Sequence, residues 1–132
     1  IKGAQATACA GFLARTKHTK TEIRAFIEDE FNYDLSVPVS TIRQSYSFKV
    51  SCQESVPQAI RAFLDSEGFE HAIRLAVSLG GDSDTQAAIA GGIGEAFYGG
   101  VPPKIAQKVK SRLPSDLSSI VENFYQWYRH KE

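Results

Sequence analysis

Apolar residues recur every third or fourth position along most of this chain, which is the spacing of helices that bury one face. An Ala-rich stretch from Gly3 to Ala14 carries Phe12 and Leu13 as its bulky members. Thr19-Lys20-Thr21-Glu22 has the form of a capping box and opens a helix with the stripe Ile23, Phe26, Ile27 and Phe31. Glu28, Asp29 and Glu30 fall on its solvated side. Asn32 to Glu54 is irregular, with Pro38 among polar residues, and Tyr46 to Val50 alternates like a short extended segment. Ser55-Val56-Pro57 reads as an N-cap with proline in the first turn, followed by Ile60, Phe63 and Leu64 on one side. Phe69 to Leu79 is the next helix, with Gly80 as its stop, and Asp84 to Tyr98 the one after. Pro102-Pro103 starts a helix running through Leu113, and Ser115-Asp116 caps a last one carrying Leu117, Ile120, Val121, Phe124 and Trp127. The pattern predicts an all-α fold of about seven helices with at most one extended segment, and no linker divides the chain.

One of these helices conflicts with its own propensity. Ala87 to Gly94 holds three glycines, each costing about 1 kcal/mol relative to alanine in a helix interior. Close packing against neighbouring helices accounts for them. A dinucleotide-binding GxGxxG does not, because Phe97 stands where the last glycine would be. A membrane small-residue motif does not either, because Glu95 interrupts it and the segment is short. The expectation is a central helix, buried on most sides, that holds its N-terminus rigidly in place.

Composition narrows the function. The chain has 132 residues, enough for one domain with a real core. Lys plus Arg and Asp plus Glu number 15 each, so no net charge draws it to nucleic acid or to an anionic membrane. No apolar run is long enough for a membrane span. Cys9 and Cys52 have no CxxC spacing, which fits small half-buried residues in a reducing, cytoplasmic setting better than a disulfide or zinc site. Methionine is absent. The expectation is a processed product or a piece of a longer protein, with part of its site upstream.

The chemistry concentrates in Gly80-Gly81-Asp82-Ser83-Asp84-Thr85, between the two central helices. Two carboxylates and a threonine hydroxyl are oxygen donors only, which suits Mg2+ or Mn2+ and disfavours Zn2+ or Cu2+. The glycines let the backbone turn sharply and approach a ligand. Read alone, Asp82 or Asp84 is equally well an N-cap. A calcium loop lacks its closing Glu. A phosphatase-type motif would need a buried strand before it and Thr or Val where Gln86 stands.

The longer string Ser78 to Gly91, followed by Glu95-Ala96-Phe97-Tyr98-Gly99, closely resembles the C-terminal metal motif of the ADP-ribosylglycohydrolase family, which includes dinitrogenase reductase-activating glycohydrolase. Ile1 to Ala6 and Ser51 to Ile60 resemble other segments of that family, so the likeness covers the chain to about Pro114. The resemblance implies an all-α, Mg2+-dependent hydrolase that removes ADP-ribose from a modified protein side chain, or acts on a related ADP-ribosyl compound. It implies two ions in the complete protein, Mn2+ being able to replace Mg2+. Asp82, Asp84 and Thr85 would be metal ligands, with Gly80, Gly81, Gln53 and Ser55 bordering the substrate. Glu95 is tolerated variation. The family's N-terminal Gly-Asp motif, its Thr-Asp-Asp motif and its Gly-Asn-Gly segment do not occur in these residues.

The chain is therefore read as the C-terminal part of a single domain, with half a metal site and its catalytic residues in the missing N-terminal part. The partners expected are an ADP-ribosylated protein or ADP-ribose compound, and either that missing half or a second copy. Nucleic acid and membrane are not expected. The alternative is a non-catalytic binding or structural module derived from the same fold. His18, His71 and His130 read as surface or structural residues, and Tyr125, Trp127 and Tyr128 as a packing stripe.

Overall fold

The computed structural model describes residues 1–47 and 51–129, which contain eight α-helices and no strand. The fold is all-α. Two compact units divide the chain, Ile1–Gly100 and Val101–Glu132.

The first unit holds α1 (Lys2–Arg15), α2 (Lys20–Phe31), the short α3 (Val39–Ile42), α4 (Cys52–Asp65), α5 (Phe69–Ser78) and α6 (Ser83–Tyr98). α6 packs against α5, α4 and α1 at the centre of the unit. Alanines make this possible on α1, where Ala6, Ala10 and Ala14 form the buried face. At Gly3 a Cβ would lie 2.8 Å from Cys52 Cβ, so α1 and α4 meet where only glycine fits without a shift. The larger core residues are Phe63, Ile23, Ile27, Ile60 and Ile93, all fully buried. Each contributes about 1.5–3 kcal/mol through the area it removes from water. Phe63 meets the edge of Phe97 at 5.3 Å between ring centres. The α2 stripe is narrower than its spacing suggests, because Ile23 and Ile27 are buried while Phe26 is exposed.

Two of the three helix glycines face α5. A Cβ on Gly91 would come within 2.6 Å of the Ile73 δ-methyl, and one on Gly94 within 3.6 Å of Ala72 Cβ. Gly92 is different: a Cβ there would meet nothing within 4 Å.

Several boundaries differ from the sequence expectation. α4 starts at Cys52 with Ser51 at its N-cap, so Ser55 does not cap it and Pro57 lies inside the helix. Proline removes one N–H there, and Gln53, whose carbonyl would have received it, is exposed to water. α3 adds an eighth, short helix within the irregular stretch. Tyr46 and Ser47 belong to no regular element, while Phe48, Lys49 and Val50 lie outside the described residues.

The loop into α3 is tied to its neighbours by polar side chains. Arg61 Nη1 donates to the Leu35 carbonyl at 2.6 Å, Asp65 Oδ2 accepts from Val39 N–H at 2.9 Å, and Glu28 Oε1 accepts from Leu35 N–H at 3.1 Å. Glu28 is therefore a structural anchor as well as a partly solvated acid.

The second unit holds α7 (Pro103–Lys110) and α8 (Ser115–Arg129). α7 stops short of Leu113, and Ser115 is the first residue of α8 rather than its cap. Along α8 the Phe124 ring stacks on Tyr128 at 6.4 Å and lies 6.4 Å from Trp127. His130 is outside the described residues.

Candidate functional site

The acidic hexapeptide forms the turn between α5 and α6. Gly80 and Gly81 both take left-handed backbone, with φ of 77° and 65°, a conformation that costs a residue with a Cβ roughly 1–2 kcal/mol. Gly80 N–H donates to the Val77 carbonyl at 3.1 Å and closes α5. Ser83 N–H donates to the Gly81 carbonyl at 2.9 Å across Asp82, whose φ and ψ are −77° and 66°. That is an inverse γ-turn with Asp82 at its apex.

Asp82 occupies the N-cap position of α6, yet its side chain accepts no capping hydrogen bond. The Asp84 carboxyl is held below its usual range, first by the neighbouring Asp82 side chain and then by the N–H groups of Thr85 and of Asp84 itself. Asp84 and Thr85 are exposed and Asp82 is half-buried. Asp82, Asp84 and Thr85 thus occupy the N-cap and first turn of α6, where N–H groups and the helix dipole favour negative charge.

Beneath the turn lies Gln86, fully buried. Its Nε2 donates to the Gly80 carbonyl and to Tyr46 Oη, each at 3.2 Å. Its Oε1 is buried with no partner among the described residues. The sequence reading used Gln86 only to reject a phosphatase motif. A visible signal was its place on the inward stripe of α6 with Ala90 and Ile93, where a polar residue is out of pattern.

Tyr46 joins this turn to a cleft of about 410 Å³, whose lining includes Asp34, Thr41, Tyr46, Glu54 and Gln58. Burial raises the Tyr46 hydroxyl above its ordinary range, with the negative charges of Glu54 and Asp82 adding to the shift. Gln58 Oε1 is buried and has no partner among the described residues. The lining includes acids and no Lys, Arg or His among the described residues.

The first turn of α4 reaches the same cleft through one residue. Glu54 lines the cleft and accepts from Ser51 Oγ at 2.8 Å. Its neighbour Gln53 is exposed. Ser55 is buried, and its Oγ donates to the Ser51 carbonyl at 3.0 Å. The structure therefore places Asp82, Asp84 and Thr85 at the start of α6 directly after Gly80 and Gly81, with Gln86 bonded to Gly80 and to Tyr46, and Tyr46 sharing a cleft lining with Glu54. Among the described residues, no group of three His, Cys, Asp or Glu side chains is placed to hold a metal.

The family model of the ADP-ribosylglycohydrolases matches residues 3–131. This chain belongs to the ADP-ribosylglycohydrolase family. The match extends through α7 and α8, beyond the segments whose resemblance was legible by eye. No solved structure gives a significant match to this ADP-ribosylglycohydrolase chain. Family membership supports a glycohydrolase-type function, and hence a hydrolase.

The donor chemistry of this ADP-ribosylglycohydrolase turn fits a hard cation. All three candidate groups offer oxygen, the donor type that hard cations take. Asp82 is not engaged in capping, so no helix bond would be lost if it turned toward an ion.

Proposed function

We propose that this chain is part of a Mg2+-dependent hydrolase that cleaves the glycosidic bond between ADP-ribose and a modified protein side chain. The observation that supports the reading is the γ-turn at Asp82, whose side chain makes no capping bond, directly before Asp84 and Thr85 in the first turn of α6. In the proposal these three residues hold the cation, with Mn2+ as a substitute. Bound there, the metal supplies positive charge beside the ribose hydroxyls and the reacting C1″ carbon. Gly80 and Gly81 keep the approach open, since neither carries a Cβ. Asp82 and Asp84 act as ligands and not as nucleophiles. Water adds to C1″ as the bond to the side-chain nitrogen or oxygen breaks, and the leaving atom takes a proton. The acid that delivers the proton, and the ligands for a second ion, come from the N-terminal part of the family fold.

The proposed substrate is an ADP-ribosylated protein or a small ADP-ribosyl compound, met in the cytoplasm. No helix among the described residues is long and apolar enough to cross a membrane. Titration calorimetry with Mg2+, paired with hydrolysis of ADP-ribosyl-arginine, tests the reading. Weak Mg2+ binding by the chain alone, with turnover only when the N-terminal part is added, is the expected result. Absence of Mg2+ binding in both preparations refutes the metal site, and robust turnover by the chain alone refutes the division of labour.

A further inference from the structure

The side chain of Gln86 lies outside the proposed ligand set, yet it touches both loops beside it. It is 0% exposed, on the same face of α6 as Ala90 and Ile93. Packing alone favours an apolar residue there, because the amide leaves its Oε1 buried without a partner among the described residues. What glutamine adds is a pair of N–H donors on one nitrogen. One reaches the Gly80 carbonyl, the other Tyr46 Oη.

The Gly80 carbonyl needs such a partner. Its residue is left-handed and has already closed α5 with its N–H, so the chain there leaves the helical path. The next carbonyl, Gly81, is taken by Ser83 N–H. With Gln86 bound to the first and Ser83 to the second, the backbone on the approach to Asp82 is fixed at two consecutive points. The Tyr46 bond then ties the same amide to the wall of the cleft.

We infer that Gln86 is a positioning residue, whose amide locks the Gly80–Gly81 turn onto α6 and so holds Asp82 beside Asp84 and Thr85 for a divalent cation. The inference rests on the metal-binding reading above. Hydrogen-bonding partners behind metal ligands typically change affinity by about 10–100-fold when removed. Gln86 reaches Asp82 through two residues of backbone, so the low end of that range applies.

Mn2+ binding, followed by calorimetry and by the electron paramagnetic resonance of bound Mn2+, provides the test on the full chain. Gln86→Met keeps length and volume but removes both donors. It is expected to retain the helical circular dichroism of the wild type and to bind Mn2+ about tenfold more weakly. Thr19→Ala, which loosens the distant start of α2, is expected to leave the affinity unchanged, so lost stability alone does not explain the effect. A folded Gln86→Met protein that binds Mn2+ like the wild type overturns the inference and leaves the metal site standing. Wild-type protein that binds no Mn2+ overturns both. Should Gln86→Met not fold, nuclear magnetic resonance on the wild type decides: during Mg2+ titration the Gln86 side-chain amide is expected to shift with the Gly80 and Gly81 backbone amides at one midpoint. A Gln86 amide that stays still while those two move overturns the inference.

Discussion

α2 and α6 both begin with a hydroxyl and a carboxylate in or next to the first turn. At α2 the two groups serve the helix. Thr19 Oγ1 accepts from Glu22 N–H at 3.3 Å, and Glu22 Oε2 accepts from Thr19 N–H at 2.7 Å. This reciprocal box satisfies donors that a helix start otherwise leaves open. At α6 the N-cap carboxylate makes no such bond, and the turn before it is closed by backbone and by Gln86. The difference separates side chains that a helix start uses from side chains that it leaves unused. Where the side chains cap, the helix needs them. Where the backbone does the closing, the side chains remain available to a ligand.

Asp82→Asn gives the sharpest contrast and the largest effect. It removes a proposed ligand, so Mg2+ affinity is expected to fall by at least the roughly 10–100-fold that even outer partners cost. The melting temperature is expected to hardly move, because the carboxylate caps nothing. Calorimetry and a thermal melt read the two quantities. A large loss of stability with unchanged affinity would place Asp82 in the same class as Thr19.

Thr19→Ala is expected to do the reverse. Loss of a capping hydroxyl costs about 1 kcal/mol, seen in urea unfolding at constant slope, and Mg2+ affinity is expected to stay the same. If affinity falls as well, the two helix starts are coupled and the comparison fails.

Acid titration separates them more finely. Glu22 is held below its ordinary range, first by the Thr19 N–H and then by the Thr19 hydroxyl. Asp84 is held down first by Asp82. Both shifts are downward. The Glu22 contribution to stability is therefore complete above the ordinary carboxylate range and disappears as pH falls through its lowered folded value. Thr19→Ala keeps the backbone donor, so Glu22 is expected to titrate only part of the way back toward its usual range. Asp82→Ala removes the leading cause at Asp84 and keeps the N–H groups of Thr85 and Asp84, so Asp84 is also expected to move part of the way. Carboxyl carbon resonances followed against pH check both, and an Asp84 that titrates unchanged in Asp82→Ala would break the comparison.

Much of the fold was legible because helix periodicity is a local property. The stripe on α2, its capping box, the stop at Gly80 and the span of α6 all follow from neighbours a few residues apart. The start of α4 was misread for the converse reason. Ser55-Val56-Pro57 has the local form of a helix start, but Cys52 packs against Gly3 and the helix runs through the proline. Gln86 went unassigned because Tyr46, one of its two partners, lies 40 residues away in the chain. Glu54, and not Gln53 or Ser55, lines the cleft, a choice set by which face α4 turns toward α3 and the Tyr46 loop.

By itself, then, the order of residues determined an all-α chain of this family with an acidic, glycine-led turn before a small-residue helix. These features need only spacing, capping and the conformational freedom of glycine, all of which act within a turn or two. Only the three-dimensional structure decided that the Asp82 side chain makes no capping bond, that Gln86 bonds to Gly80 and Tyr46, and that Tyr46 and Glu54 share a cleft. The cleft and the bond from Gln86 to Tyr46 depend on long-range contacts, in which residues 40 positions apart meet only when α4, α5 and α6 are packed.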